Sequence, residues 1–207
     1  MKSRQYIVNG LFFNLLLQVK MPGFCGKRLN LPSGMEKEQQ PEFWLRGPLP
    51  GIIPFLQPVA HAILQAQMEV QEALTHFPEV MLWHKPSGVA SVAFHLQHLT
   101  GVLDRLFTYA RGEQLSELQI NALQNEGKEN INVSMSDLIQ RFNKQVDLSI
   151  NQLENTTEEL LAQKRGVGRK QIPSTVLGLL FHAAEHSQRH TGQLLVTTKI
   201  LKDKQSI

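Results

Sequence analysis

Cysteine is all but absent from this 207-residue chain. Cys25 stands alone, so no disulfide can form within the molecule, and nothing around it marks a nucleophile. Acidic residues are missing from the first 34 positions, where Lys2, Arg4, Lys20, Lys27 and Arg28 give a charge of +5. Residues 35–207 hold the other 16 of the 21 basic side chains and all 18 acidic ones, a net −2. The positive excess therefore belongs to the N-terminal segment, and the body of the chain offers no electrostatic case for nucleic-acid binding. Long apolar runs are also lacking. Leu11 to Val19 is too short to span a bilayer and is interrupted by Asn14. No alanine precedes Ala60, which excludes an A-x-A cleavage site, and Phe24 stands before Cys25 where a lipoprotein signal needs a small residue. Residues 1–40 are accordingly expected to be an extension, either disordered or preceding a true start at Met35 or Met21. A cytoplasmic protein with no membrane partner is the default.

No segment alternates with the period of a strand, and neither a GxGxxG turn nor a Walker loop occurs. What is there is helical. Phe55 to Leu74 carries Leu56, Val59, Ala60, Ile63, Leu64, Met68 and Val70 at helical spacing. Met81 to Gly88 reads as a connector. Ser91 is a good N-cap for a second helix that runs to Arg111 and stops at Gly112. Gln114 to Val133 is polar and irregular, a long connection with room for a short turn. Ser134-Met-Ser-Asp137 is a capping signal for a third helix with Leu138, Phe142, Val146, Ile150 and Leu153 inside. Thr156 to Leu161 makes a brief turn and glycines 166 and 168 break the chain. Pro173-Ser174 opens a fourth helix reaching about Lys202. The cluster Lys164-Arg165-Gly-Val-Gly-Arg169-Lys170 is expected to be a solvated loop between helices, able to attract an anionic substrate. Residues 41–207 are thus an all-α domain, a four-helix bundle with a long connection between its second and third helices.

The chemistry lies in the histidines. His182, His186 and His190 recur every four residues, each step advancing about 40° around a helix, so the three imidazoles share one stripe. His95 and His98 form a second window far upstream. A lone histidine on an apolar face is usually a hydrogen-bonded boundary residue. Three in register, with two more on another helix, are explained economically by a metal held between helices. The zincin reading fails, because Ala183 occupies the place of the glutamate in HExxH. Spacing leaves open whether 182/186 or 186/190 is the ligating pair. Three histidines with no fourth protein ligand leave coordination positions for water or substrate, as in catalytic sites. Zinc and nickel both accept imidazole.

The pattern Trp83-His-Lys-Pro86, then Ser91-Val-Ala-Phe-His-Leu-Gln-His98-Leu99, and finally His186-x3-His190-x-Gly192-Gln193 resembles the DinB/YfiT-like superfamily over residues 42–202. The resemblance implies a bundle of up-down-down-up connectivity that binds a divalent metal through His98, His186 and His190. It also implies a homodimer and, in some members, transfer of low-molecular-weight thiols such as bacillithiol or mycothiol to an electrophilic small molecule. Others are isomerases. His95 and His182 are then expected to support or line the pocket, His95 also being an alternative ligand, and Gln193 to hydrogen-bond a ligand or pack between helices. Glu185 is expected to be solvated, and Asp104 and Arg105 to lie at the surface. Two functions compete: a metal-dependent thiol S-transferase and a non-catalytic metal-binding or stress-response bundle.

Overall fold

The computed structural model describes residues 40–205. Apart from Gln40, the expected N-terminal extension, with Cys25, lies outside the described residues. Five α-helices follow in order: α1 (Gln57–Leu74), α2 (Val92–Ala110), α3 (Glu117–Asn125), α4 (Met135–Glu154) and α5 (Val176–Gln205). The four long ones form the bundle, with α1 and α2 each packed against both α4 and α5. Their apolar stripes meet in a core where Leu56, Ile63, Leu96, Leu103, Phe107, Phe142, Leu153, Leu180 and Leu194 are sealed from water. Each such side chain contributes roughly 1.5–3 kcal/mol by burial.

Hydrogen bonds between helices fix their directions. Gln188 Nε2 donates to Ala62 O at 2.7 Å and Lys202 Nζ to Ala73 O at 2.8 Å, so α5 runs parallel to α1. Gln152 Nε2 donates to Phe107 O at 3.1 Å, bringing the C-terminal ends of α2 and α4 together. His95 faces His190 while His98 faces His186, which makes α2 antiparallel to α5. The connectivity is up-down-down-up.

That arrangement accounts for the long connection. Because α2 and α4 point the same way, the chain after Gly112 must climb back along some 19 residues of helix, about 28 Å. It does so through α3, where the sequence suggested irregular structure with at most a turn. Ser116 and Gln119 form a capping box at its start, yet none of its residues is fully buried. An apolar stripe facing the core is what sequence periodicity detects, and α3 has none.

The expected helix starts hold at α2 and α4. Ser91 Oγ accepts from Phe94 N at 3.2 Å, and Ser134 with Asp137 forms a second capping box. Gly112 takes φ +84°, the left-handed stop of α2. The region before α5 departs from expectation. Lys164–Val167 (β1) and Ile172–Thr175 (β2) pair as an antiparallel hairpin, with Gly166 opposite Pro173. Four-residue strands holding a glycine and a proline carry no readable alternation, and proline is tolerated in an edge pairing. α5 therefore begins at Val176, capped by Thr175 Oγ1, which accepts from Gly178 N at 3.0 Å. The basic cluster lies on this hairpin, and Arg165 Nε donates to Ala110 O at 2.8 Å, tying it to the end of α2. No described helix is long and apolar enough to cross a membrane.

Candidate metal centre

Antiparallel packing of α2 on α5 brings the two histidine windows face to face. His98 Nε2 lies 3.0 Å from His186 Nε2. The His190 ring centroid is 4.2 Å from that of His98 and 4.7 Å from that of His186. One nitrogen from each of the three falls within 4.8 Å of the others, and all three rings are half-buried.

The other predicted residues sit around this cluster. His95 is fully buried, its Nδ1 3.3 Å from His190 Nδ1. His182 is half-exposed and points along its own helix, its Nδ1 2.7 Å from Glu185 Oε1. Glu185 also accepts from Arg189 Nη2 at 2.7 Å. His182, Glu185 and His186 make a second group with ligand atoms in mutual reach. Gln193 is exposed and lines a cleft on the His95 side rather than the cluster.

One residue that sequence reasoning passed over meets His98 directly. Glu126, just past the end of α3, has Oε2 2.7 Å from His98 Nδ1, while Oε1 accepts from Arg105 Nη1 at 2.6 Å. Arg105, expected at the surface, is largely buried by this pair. Asp104 is likewise half-buried and accepts from Gln119 Nε2 at 2.8 Å. A polar connection read as irregular gives no spacing from which such long-range contacts follow. Phe94 stacks on His98 with centroids 5.2 Å apart and planes 13° from parallel.

Burial and crowding disfavour the charged forms of His95, His186 and His190. Burial, and then the neighbouring His98, lowers the pKa of His95 to about 4. His190 is likewise lowered to about 4 by burial first and then by the surrounding histidines, and His186 shifts the same way. Burial pushes Glu126 upward, but hydrogen bonds from His98 and Arg105, together with their charges, outweigh it and leave the carboxyl below its ordinary value. Imidazoles whose charged forms are disfavoured at His186 and His190, grouped with His98 and its carboxylate partner Glu126, form a donor set suited to a cation.

That set fits a divalent ion. Nitrogens about 2.1 Å from a tetrahedral ion stand roughly 3.4 Å apart, and His98 Nε2 and His186 Nε2 are already 3.0 Å apart. His186 Nδ1 is buried with no hydrogen-bond partner among the described residues. An orphaned polar group of that kind costs about 1–3 kcal/mol, which a strong bond at the other nitrogen would offset. His182 and His186, with Arg105 and the side chains of Val102, Leu106, Tyr109, Leu115 and Leu123, line a mainly apolar cavity of about 250 Å³, so His182 does line a pocket beside the cluster.

A family model described as the DinB superfamily matches residues 62–194, which include both histidine windows. Among solved structures, the chain is similar to a crystal structure described as the conserved protein of locus from Enterococcus faecalis. The identity is 17% and the TM-score 0.57, covering 72% of this chain and 97% of that one. At that identity the likeness concerns the fold. Comparison with curated proteins returns no match.

Proposed function

The chain belongs to the DinB superfamily, and from that premise we propose that it holds one zinc or nickel ion through His98, His186 and His190 and transfers a small thiol to an electrophile. The observation that carries this reading is the convergence of three imidazoles from α2 and α5 within 4.8 Å. A bound divalent ion would supply Lewis acidity, lowering the pKa of a thiol or water towards neutrality. His98, His186 and His190 bring no negative charge to that ion and leave part of its shell to other donors. The cavity walled by Val102, Leu106 and Tyr109 opens beside His186 and suits the apolar part of the electrophile. In the transfer the thiol sulfur bonds to the electrophilic carbon, the leaving group departs with its electron pair, and the thiol proton passes to solvent. His95, buried behind His190, steadies that ring. The active species in this reading is a homodimer, which light scattering tests.

Metal stoichiometry on the purified chain is the first test, with near one ion per chain expected, and little in His186→Ala and His190→Ala. Equal ion content in all three would remove the basis for the site. The second test is conjugation of monochlorobimane with added low-molecular-weight thiols, which the loaded protein should accelerate and His186→Ala should not. A loaded protein that turns nothing over but loses stability on chelation would reassign the ion as a non-catalytic tie between α2 and α5.

A further inference from the structure

Building on the three-histidine reading, we propose that Glu126 is a positioning residue that fixes the proton of His98 on Nδ1, so that the Nε2 lone pair faces the ion. An ionised carboxylate accepts hydrogen bonds and cannot donate them. Glu126 Oε2 lies 2.7 Å from His98 Nδ1, so when the ring serves as a ligand and carries a single proton, that proton lies on Nδ1. Nε2 is then bare and directed at His186, 3.0 Å away. Carboxylates that grip the far nitrogen of a ligating imidazole orient the ring and raise its basicity.

Three further features serve this contact. Arg105 Nη1 donates to the other carboxylate oxygen at 2.6 Å, holding it ionised and aimed. Gly127 N donates to Gln97 Oε1 at 2.8 Å, pinning the backbone after Glu126 to α2. Gly101 stands in the middle of α2, where glycine is a poorer helix former than alanine. A Cβ at that position would collide with Arg105 Nη1 and Glu126 Oε1. With the ion pair lying where it does, a side chain at position 101 would force the ends of Arg105 and Glu126 to shift.

Glutamine distinguishes positioning from mere packing. Its amide has one oxygen for two donors, and the charged Arg105 takes it. The amide NH₂ is then turned to His98 Nδ1, which moves the ring proton to Nε2 and blocks the ligand. Zinc affinity of the full chain, by competition with a chromophoric chelator, should weaken 10–100-fold in Glu126→Gln, with the metal-free circular dichroism unchanged. Cobalt(II) in the same variant should show an altered d–d spectrum. Adding Arg105→Met frees the amide oxygen for His98, so the double variant should recover most of the affinity, which a purely structural loss would not. Wild-type affinity and cobalt spectrum in Glu126→Gln would overturn the proposal while leaving the three-histidine site standing. If Glu126→Gln does not fold without metal, Gly101→Ala, which displaces the pair but keeps the carboxylate, must weaken zinc binding for the proposal to survive. Failure of wild type to take up zinc or cobalt, or undiminished uptake by His186→Ala, would overturn the site itself and this inference with it.

Discussion

At the scale of single residues, the neutral state of the buried histidines has a consequence for stability. His95 and His190 have folded pKa values of about 4, whereas an unfolded histidine titrates near 6.5. Between those values the unfolded chain binds protons that the folded chain refuses, so stability falls as pH falls through that window. Above about 6.5 these groups add no slope. The urea midpoint of metal-free protein should therefore decline from pH 7 to pH 5, and His95→Phe should flatten part of that decline. One group contributes no more than about 1.4 kcal/mol per pH unit. A midpoint that is constant or rises on acidification would mean the rings are charged in the folded state. The same residues show what the sequence made legible. Register alone placed His182, His186 and His190 on a stripe, and the resemblance selected His98 with the last two, the three the fold brings together. Glu126 was not legible, because its partner stands 28 positions earlier on another element and no periodicity joins them.

At the scale of elements, the same division holds. α1, α2, α4 and α5 announce themselves through apolar stripes and capping residues, since burial of one face and satisfaction of the first amides are local demands. α3 and the β1–β2 hairpin bury almost nothing, and they are the pieces the sequence did not give away. The caps carry a testable cost. Ser91 is fully buried and its hydroxyl accepts from Phe94 N, so Ser91→Ala should lower stability by about 1–2 kcal/mol by urea titration. Because His95 and His98 lie within the first two turns of α2, the same change should weaken zinc binding, whereas an exposed substitution late in α5 should not. α3 sits at the other extreme. With no buried side chain and a few polar tethers, its amides should exchange hydrogen well before those of α2. Equal protection of the two helices would show that α3 opens only with the whole bundle.

At the scale of the whole molecule, the histidine cluster links parts of the chain that are remote in sequence. His98 and His186 are 88 positions apart, and they join the two antiparallel helices whose packing closes the core. An ion bound only by the folded state stabilises it by about 2.7 kcal/mol at one hundred times its Kd, and in a chain of this size each kcal/mol is worth about 2–4 °C in Tm. Saturating zinc should thus raise Tm by roughly 5–11 °C, and a chelator should reverse the rise. Leu99→Ala separates this effect from the core. Leu99 is sealed in the bundle one position from His98, so truncation should cost about 2–5 kcal/mol with or without zinc, shifting both curves and preserving much of the gap between them. His186→Ala should do the reverse, closing the gap while relieving the metal-free protein of an unpartnered buried nitrogen. If the gap persists in His186→Ala, the ion that stabilises the bundle is held somewhere other than where α2 and α5 meet.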